Sequence, residues 1–174
     1  GPANRLALYP NKLAGESQER IVEMKRKVYA EISSEKGFYI GDVCYAMKEE
    51  IYRDVWGDQL GFEDGCHEVP EYGLKFAVCS TYYGDGEYRG TNGVIFPVDA
   101  GNIGVVPLEM CSEHKLRSEG YEDCGVIVEQ TGTAFYMADD GVFEIGLPDG
   151  SGFSINTRCE EDDDCYDEED EDDE

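Results

Sequence analysis

The chain has 174 residues and a formal net charge of −26 at pH 7, with 40 acidic side chains against 14 Lys and Arg. This length fits one compact domain with appendages. The charge argues against direct binding to nucleic-acid phosphates or to anionic lipid, and no apolar run approaches the roughly 18 residues of a membrane-spanning helix. The negative charge favours cationic partners instead, such as a basic protein or a protein that itself binds DNA or RNA.

The first 36 residues are slightly basic, unlike the rest of the chain. Gly1-Pro2 is typical of the remnant of a cleaved purification tag and is left aside. Within the segment 3–36, apolar residues at helical spacing predict an amphipathic helix over 17–33. That stripe consists of Ile21, Met24, Val28 and Ile32. The helix either packs on the domain or, through Lys25-Arg26-Lys27, acts as a basic arm that docks elsewhere.

From residue 37 to residue 158, short apolar runs alternate with glycine-containing breaks, as in antiparallel sheets. Strands are predicted at 38–40, 43–47, 74–82, 94–98, 103–106, 126–130, 133–138, 142–147 and 153–156. Other segments are predicted as a short helix (48–56), a long loop (57–73) and a short helix or turn (107–117). Asp140-Gly141 and Asp149-Gly150 are hairpin signals. We therefore expect an α+β fold that is mainly antiparallel β, a small barrel or sandwich with an N-terminal helix and one or two short helices.

The last 16 residues, 159–174, carry 13 acidic side chains and no basic one. A segment with so few apolar residues and so much self-repulsion is predicted to be disordered. It acts either as a solubility device or as an autoinhibitory tail that folds back on Lys25-Arg26-Lys27. The acidity does not come from this tail alone, because residues 37–158 still carry a net charge of −15.

The seven cysteines are odd in number and include no CxxC motif, which favours an intracellular, reducing compartment. Cys66-His67 and Cys111 with His114 could supply four ligands to Zn²⁺, although adjacent ligands have poor spacing. Cys44 with a histidine base could form a nucleophilic pair, but an acidic surround raises a thiol pKa and weakens that interpretation.

Three glycine-containing motifs stand out, Gly41-Asp42-Val43-Cys44-Tyr45, Tyr83-Gly84-Asp85-Gly86 and the run 98–104, with sequence VDAGNIG. As a set they resemble a family of uncharacterised small β-rich proteins from bacterial and viral genomes, over roughly residues 37–157. The resemblance implies a fold unit and a bacterial, viral or phage source, and it brings no catalytic role with it. Val43 stands where the family has proline, which makes that turn less rigid here.

Asp42, Asp85 and Asp99 each lie in one of these motifs, at a predicted strand end. Three converging carboxylates could bind Ca²⁺ or Mg²⁺, or one of them could be held protonated as a general acid. The alternative is ordinary turn chemistry, in which each side chain accepts hydrogen bonds from nearby backbone amides.

Two functions follow from these patterns. The first is an acidic binding or inhibitor protein that engages a positively charged protein surface, as a nucleic-acid mimic or as a chaperone of a basic protein. The second is a small metal-dependent enzyme or metal-binding domain that uses the three aspartates; no organic cofactor is predicted, and a divalent cation is possible at these carboxylates. The net negative charge supports a binding function more strongly than any group of candidate residues supports catalysis. The residues predicted to bind are Asp42, Tyr45, Tyr83, Asp85, Glu87 and Asp99.

Overall fold

The computed structural model of the chain describes residues 27–118 and 123–158. Within these residues the chain forms eleven strands in three antiparallel sheets. The strands are β1 (Lys27–Ser34), β2 (Phe38–Gly41), β3 (Gly65–Val69), β4 (Leu74–Ser80), β5 (Gly86–Arg89), β6 (Ile95–Val98), β7 (Asn102–Pro107), β8 (Gly125–Val128), β9 (Gly132–Asp139), β10 (Val142–Gly146) and β11 (Gly152–Asn156). The helices are α1 (Ile51–Gln59), which is of the wide π type, and α2 (Glu113–Arg117).

The first sheet has four strands in the order β1-β9-β10-β11, and the second has five in the order β3-β4-β7-β2-β8. A two-stranded ribbon, β5-β6, joins the edge of the first sheet through a bridge between Gly90 and Ile155. The hairpin between β9 and β10 turns at Asp140-Gly141, which adopt φ values of 52° and 88°. Two successive positive φ values match the twist of the flanking strands, as the Asp-Gly pair predicts.

A hydrophobic core lies between the two larger sheets. The first sheet contributes alternate residues such as Ile32, Tyr136 and Phe143, and the second contributes Phe38 and Ile103. All five side chains are fully buried. Because side chains of a strand alternate between its faces, each sheet can present one complete face to this core.

The opposite face of the five-stranded sheet is also buried, under a second core. Helix α1 covers this face with Ile51 and Trp56, which pack with Phe76 of β4 and Val106 of β7. Tyr39 of β2 belongs to this second core, whereas its chain neighbours Phe38 and Ile40 face the first core. The central sheet is therefore the middle layer of three, which explains why its inner strands β2, β4 and β7 are mostly apolar.

The predicted mainly antiparallel β fold is confirmed, and its form is sandwich-like rather than a barrel. The sheets stay open, because β3 and β8 end one of them and β1 and β11 end the other. Three strands were not predicted as strands: β1, which was expected to be helical, β3, inside the expected long loop, and β5. The segment predicted as a strand at 43–47 is instead a 3-10 turn, Val43–Tyr45, followed by an isolated bridge at Met47.

The prediction of a helix over residues 17–33 is wrong for its described part, because residues 27–34 form strand β1. Val28, Ala30, Ile32 and Ser34 are buried and the residues between them are exposed, which is the period of a strand. Val28 and Ile32 are four residues apart, a spacing that both a helix and a strand place on one face. Strand β1 pairs with β9 along its whole length, and its buried residues Val28, Ala30 and Ile32 belong to the first core.

Several predictions concern residues outside the described ranges. Residues 3–26 and the acidic tail, 159–174, lie there, as do two of the seven cysteines. The five described cysteines form no disulfide. Among the described residues, no helix is long and apolar enough to cross a membrane.

Candidate functional site

The three glycine-containing motifs meet at one end of the sandwich. The carboxylate of Asp42 accepts hydrogen bonds from the backbone N–H groups of Asp99 and Ala100, at 2.7 and 2.6 Å. The backbone N–H of Thr81 donates to the carbonyl of Gly101 at 3.0 Å. We call this assembly of residues 42–45, 81–85 and 99–102 the turn rim.

Asp42 lies inside the turn rim and is fully buried. Its second oxygen caps the turn Val43–Tyr45 by accepting the N–H of Cys44 at 3.0 Å, so the carboxylate receives three backbone donors. A buried carboxylate is stable when its lone pairs are satisfied in this way. Asp42 therefore performs turn chemistry, the alternative that the sequence left open, and ties together parts of the chain that are distant in sequence.

Tyr39 and Asn102 complete the support of this turn. The Tyr39 hydroxyl donates to the carbonyls of Asp42 and Cys124, at 3.0 and 3.2 Å, and the side-chain oxygen of Asn102 accepts the N–H of Val43 at 3.1 Å. Burial, and then the charge of Asp42, hold the pKa of Tyr39 well above its usual value, so its hydroxyl stays a donor. Gly125 faces the Tyr39 ring so closely that a β-carbon there would lie 2.5 Å from a ring carbon.

The other predicted binding residues lie nearer to solvent. Asp85, Glu87 and Asp99 are exposed, and Tyr45 is half-buried. Burial, and then the charge of Asp99, raise the pKa of Tyr45. Tyr83 is 54% exposed and packs edge-on against Tyr82, with ring centroids 4.9 Å apart.

The structure brings the three motifs together without bringing the three carboxylates together as ligands. Asp42 points into the backbone, whereas Asp85 and Asp99 face solvent. Within residues 27–118 and 123–158, no three His, Cys, Asp or Glu side chains are placed to hold a metal ion. That statement also covers the Cys66-His67 and Cys111-His114 pairs. Cys44 does not have the environment of a nucleophile, because burial and then Asp42 raise its pKa.

A cleft of about 280 Å³ opens beside the turn rim, where β4 and β7 meet the residues that precede β3. We call it the aromatic cleft. It is lined by Tyr52, Trp56, Phe62, Asp64, Ser80 and the turn 100–102. The turn 100–102 thus belongs both to the rim and to the cleft.

Three aromatic rings form one wall of the aromatic cleft. Trp56 and Phe62 meet edge-on at 5.1 Å between centroids, and Tyr52 lies 5.6 Å from Trp56 and 5.7 Å from Phe62. Phe62 is 52% exposed although it is large and apolar, and its φ is +58°. Bulky side chains rarely adopt that backbone conformation. Its ring packs on Gly57, where a β-carbon would lie 2.7 Å from the ring tip.

The opposite wall of the aromatic cleft is polar and carries a negative charge. Asp64 is half-buried, and its two oxygens accept the hydroxyl of Ser80 at 3.0 Å and the thiol of Cys79 at 3.6 Å. Both Phe62 and Asp64 were missed by the sequence interpretation. They lie in the segment 57–73, which is rich in glycine and acidic residues and was predicted as a loop.

A larger groove of about 650 Å³ lies on another part of the surface, next to helix α2. Its two half-buried lysines already have partners within the fold. Lys48 donates to the Tyr72 hydroxyl at 3.0 Å. Lys115 donates to the carbonyls of Cys44 and Met47, at 3.3 and 2.7 Å, and pairs with Glu49 at 2.9 Å. The half-buried cations of this groove are therefore held by groups of the fold itself.

Comparison of the chain with protein-family models, with curated proteins and with solved structures found no match. The resemblance carried by the three motifs stays a prediction. The function has to be argued from the surface and from the cleft themselves.

Proposed function

We propose that this protein is an acidic binding or inhibitor protein that engages a positively charged surface of a partner protein. It does so as a nucleic-acid mimic or as a chaperone of a basic protein. The observation that carries the proposal is the surplus of exposed carboxylates on the folded part of the chain.

The described ion pairs use few of these carboxylates. The acidic partners in them are Glu49, Glu113, Asp139 and Asp140. Exposed acidic side chains outside these pairs occur on all parts of the fold, among them Glu31 on β1, Asp54 and Asp58 on α1, Glu68 on β3, Glu87 on β5 and Glu144 on β10. A surface with so much charge of one sign attracts oppositely charged partners over distances comparable to the Debye length.

Rigid presentation of these charges distinguishes the folded domain from a flexible polyanion. Carboxylates on strands and on a packed helix have fixed spacings, so their arrangement can complement one basic groove better than another. The same charge repels nucleic acid, which is why the expected partner is a protein that binds nucleic acid rather than the nucleic acid itself.

The test is competition with duplex DNA for core histones, used as the basic protein, at low and at high NaCl. The protein should displace the DNA at a lower concentration of carboxylate groups than polyglutamate requires, and added salt should weaken the displacement. If polyglutamate is equally effective, only generic charge is at work and the proposal fails. If the protein displaces nothing at low salt, the proposal fails as well.

A further inference from the structure

We propose that the aromatic cleft is a subsite for one organic cation, the alkylammonium group of a lysine side chain on the partner. The inference rests on the proposed function, since it assigns a specific pocket to the basic partner. It adds a defined place and chemistry to what would otherwise be a diffuse attraction between surfaces.

The polar groups of the aromatic cleft favour a donor as ligand. The Trp56 indole N–H donates to the carbonyl of Glu63 at 2.9 Å, and the Ser80 hydroxyl donates to Asp64 at 3.0 Å. The amide nitrogen of Asn102 donates to the carbonyl of Ala100 at 3.4 Å. These side-chain donors are engaged within the fold, whereas the carboxylate of Asp64 retains further acceptor capacity. An ammonium group brings only donors and matches such a lining.

The aromatic wall suits the same ligand. Faces of Trp, Tyr and Phe attract cations through the ring quadrupole, and their apolar surface accommodates the methylene stem of a lysine. Phe62 contributes most of the exposed aromatic surface, and its left-handed backbone conformation keeps the ring at the mouth of the cleft. Backbone strain of this kind is concentrated at functional sites.

One ring of this wall, Tyr52, already contacts an ammonium group of the fold, that of Lys115, which itself lines the larger groove rather than the cleft. The Lys115 side-chain nitrogen lies 5.7 Å from the centroid of the Tyr52 ring. The contact shows that a ring of this cluster can face a cation within this fold.

Trp56 provides a direct readout, because it is the only tryptophan of the chain and lines the aromatic cleft. The experiment titrates the full chain with n-butylammonium and follows the single indole N–H peak in a ¹⁵N correlation spectrum at constant ionic strength. The expected result is a saturable shift of this peak with butylammonium. Neutral n-butanol, which has the same four-carbon chain, should cause a much smaller shift. Equal shifts with both probes would overturn the proposal.

Two variants test whether butylammonium binds in the aromatic cleft. Asp64→Asn keeps an oxygen for the Ser80 hydroxyl but removes the charge, and Phe62→Leu keeps an apolar side chain but removes the ring. Each should raise the apparent Kd for butylammonium at least fivefold. Asp58→Asn is the matched control, because it removes one exposed acidic charge from α1 outside the lining of the cleft. An equal loss in Asp58→Asn would show that general charge, not the cleft, binds the cation.

The same variants separate this inference from the proposed function. If Asp64→Asn binds histones as tightly as the unmodified chain and butylammonium gives no saturable shift, the subsite is wrong while the binding function stands. If butylammonium saturates the cleft but the unmodified chain displaces no DNA from histones, the subsite stands and the proposed partner class is wrong.

Discussion

The carboxylate of Asp42 joins two turns that are 57 residues apart in the chain. Within the part of the chain that the structure describes, its hydrogen-bond partners are three backbone N–H groups and no basic side chain. This arrangement makes Asp42 a structural residue that fixes the turn carrying Asp99, whereas the turn carrying Asp85 is tied to the same end through Thr81.

Replacement of Asp42 by alanine should therefore be strongly destabilising. Three N–H groups would lose a charged acceptor in a buried place, and we expect the free energy of unfolding to fall by at least about 3 kcal/mol. Asp42→Asn, which keeps one acceptor oxygen, should lose less. Urea unfolding measures both.

Asp85→Ala is the control for the Asp42 variants. It removes an aspartate of the same rim that is exposed, so its effect should stay within about 0.5 kcal/mol. A loss below about 1 kcal/mol in Asp42→Ala would contradict the structural role of its hydrogen bonds.

At the scale of elements, strand β1 shows why a sequence pattern can predict a helix where the chain forms a strand. Val28 and Ile32 fit a helix as well as a strand, and Ala30 is the residue that separates the two. In the strand Ala30 is buried and pairs with Tyr136, whereas in a helix it would lie opposite the apolar stripe. Because alanine is small, Ala30 adds little to a hydrophobic pattern, and the helical spacing of the larger residues was easier to detect than the strand period.

Ala30→Lys should accordingly destabilise the protein by more than about 3 kcal/mol, because it places a charged side chain in the first core. Glu31→Lys introduces the same residue at the neighbouring, exposed position and should be close to neutral. The comparison needs only the two thermal or urea unfolding midpoints. Equal stability of the two variants would mean that β1 does not pack as described.

Other elements were predictable because their signals are local. The Asp140-Gly141 turn specifies its hairpin through two positive φ values, and the strands on either side of it were found close to their observed limits. Strand β3 was not predictable in this way. Its burial alternates weakly, with only Val69 fully buried, and it owes its structure to pairing with β4.

Of the candidate site, the turn rim could be predicted from local sequence signals, whereas the aromatic cleft could not. Glycine-containing turns at strand ends indicated the turn rim, since such turns have distinctive sequences. The aromatic cleft depends on where the segment after α1 places Phe62 and Asp64. That placement follows from hydrogen bonds at the end of the helix, such as the 2.7 Å bond from the Phe62 N–H to the Trp56 carbonyl, which no sequence pattern encodes.

At the scale of the whole molecule, the central sheet buried on both faces sets where function can lie. With both of its faces used for packing, the accessible chemistry is confined to the outer layers and to the strand ends. The turn rim and the aromatic cleft are both at strand ends, and the acidic side chains are distributed over the outer surface.

Because the folded part carries its own negative charge, the tail should not be required for binding. Deletion of residues 159–174 removes 13 acidic side chains and leaves a formal net charge of −13. The truncated chain should still displace DNA from histones, with a smaller dependence on salt because fewer charges take part. Competition measured over a series of NaCl concentrations gives both the affinity and the salt dependence. Complete loss of displacement on truncation would assign the activity to the tail, and a gain in affinity would identify the tail as an autoinhibitory segment that competes for the same basic surface.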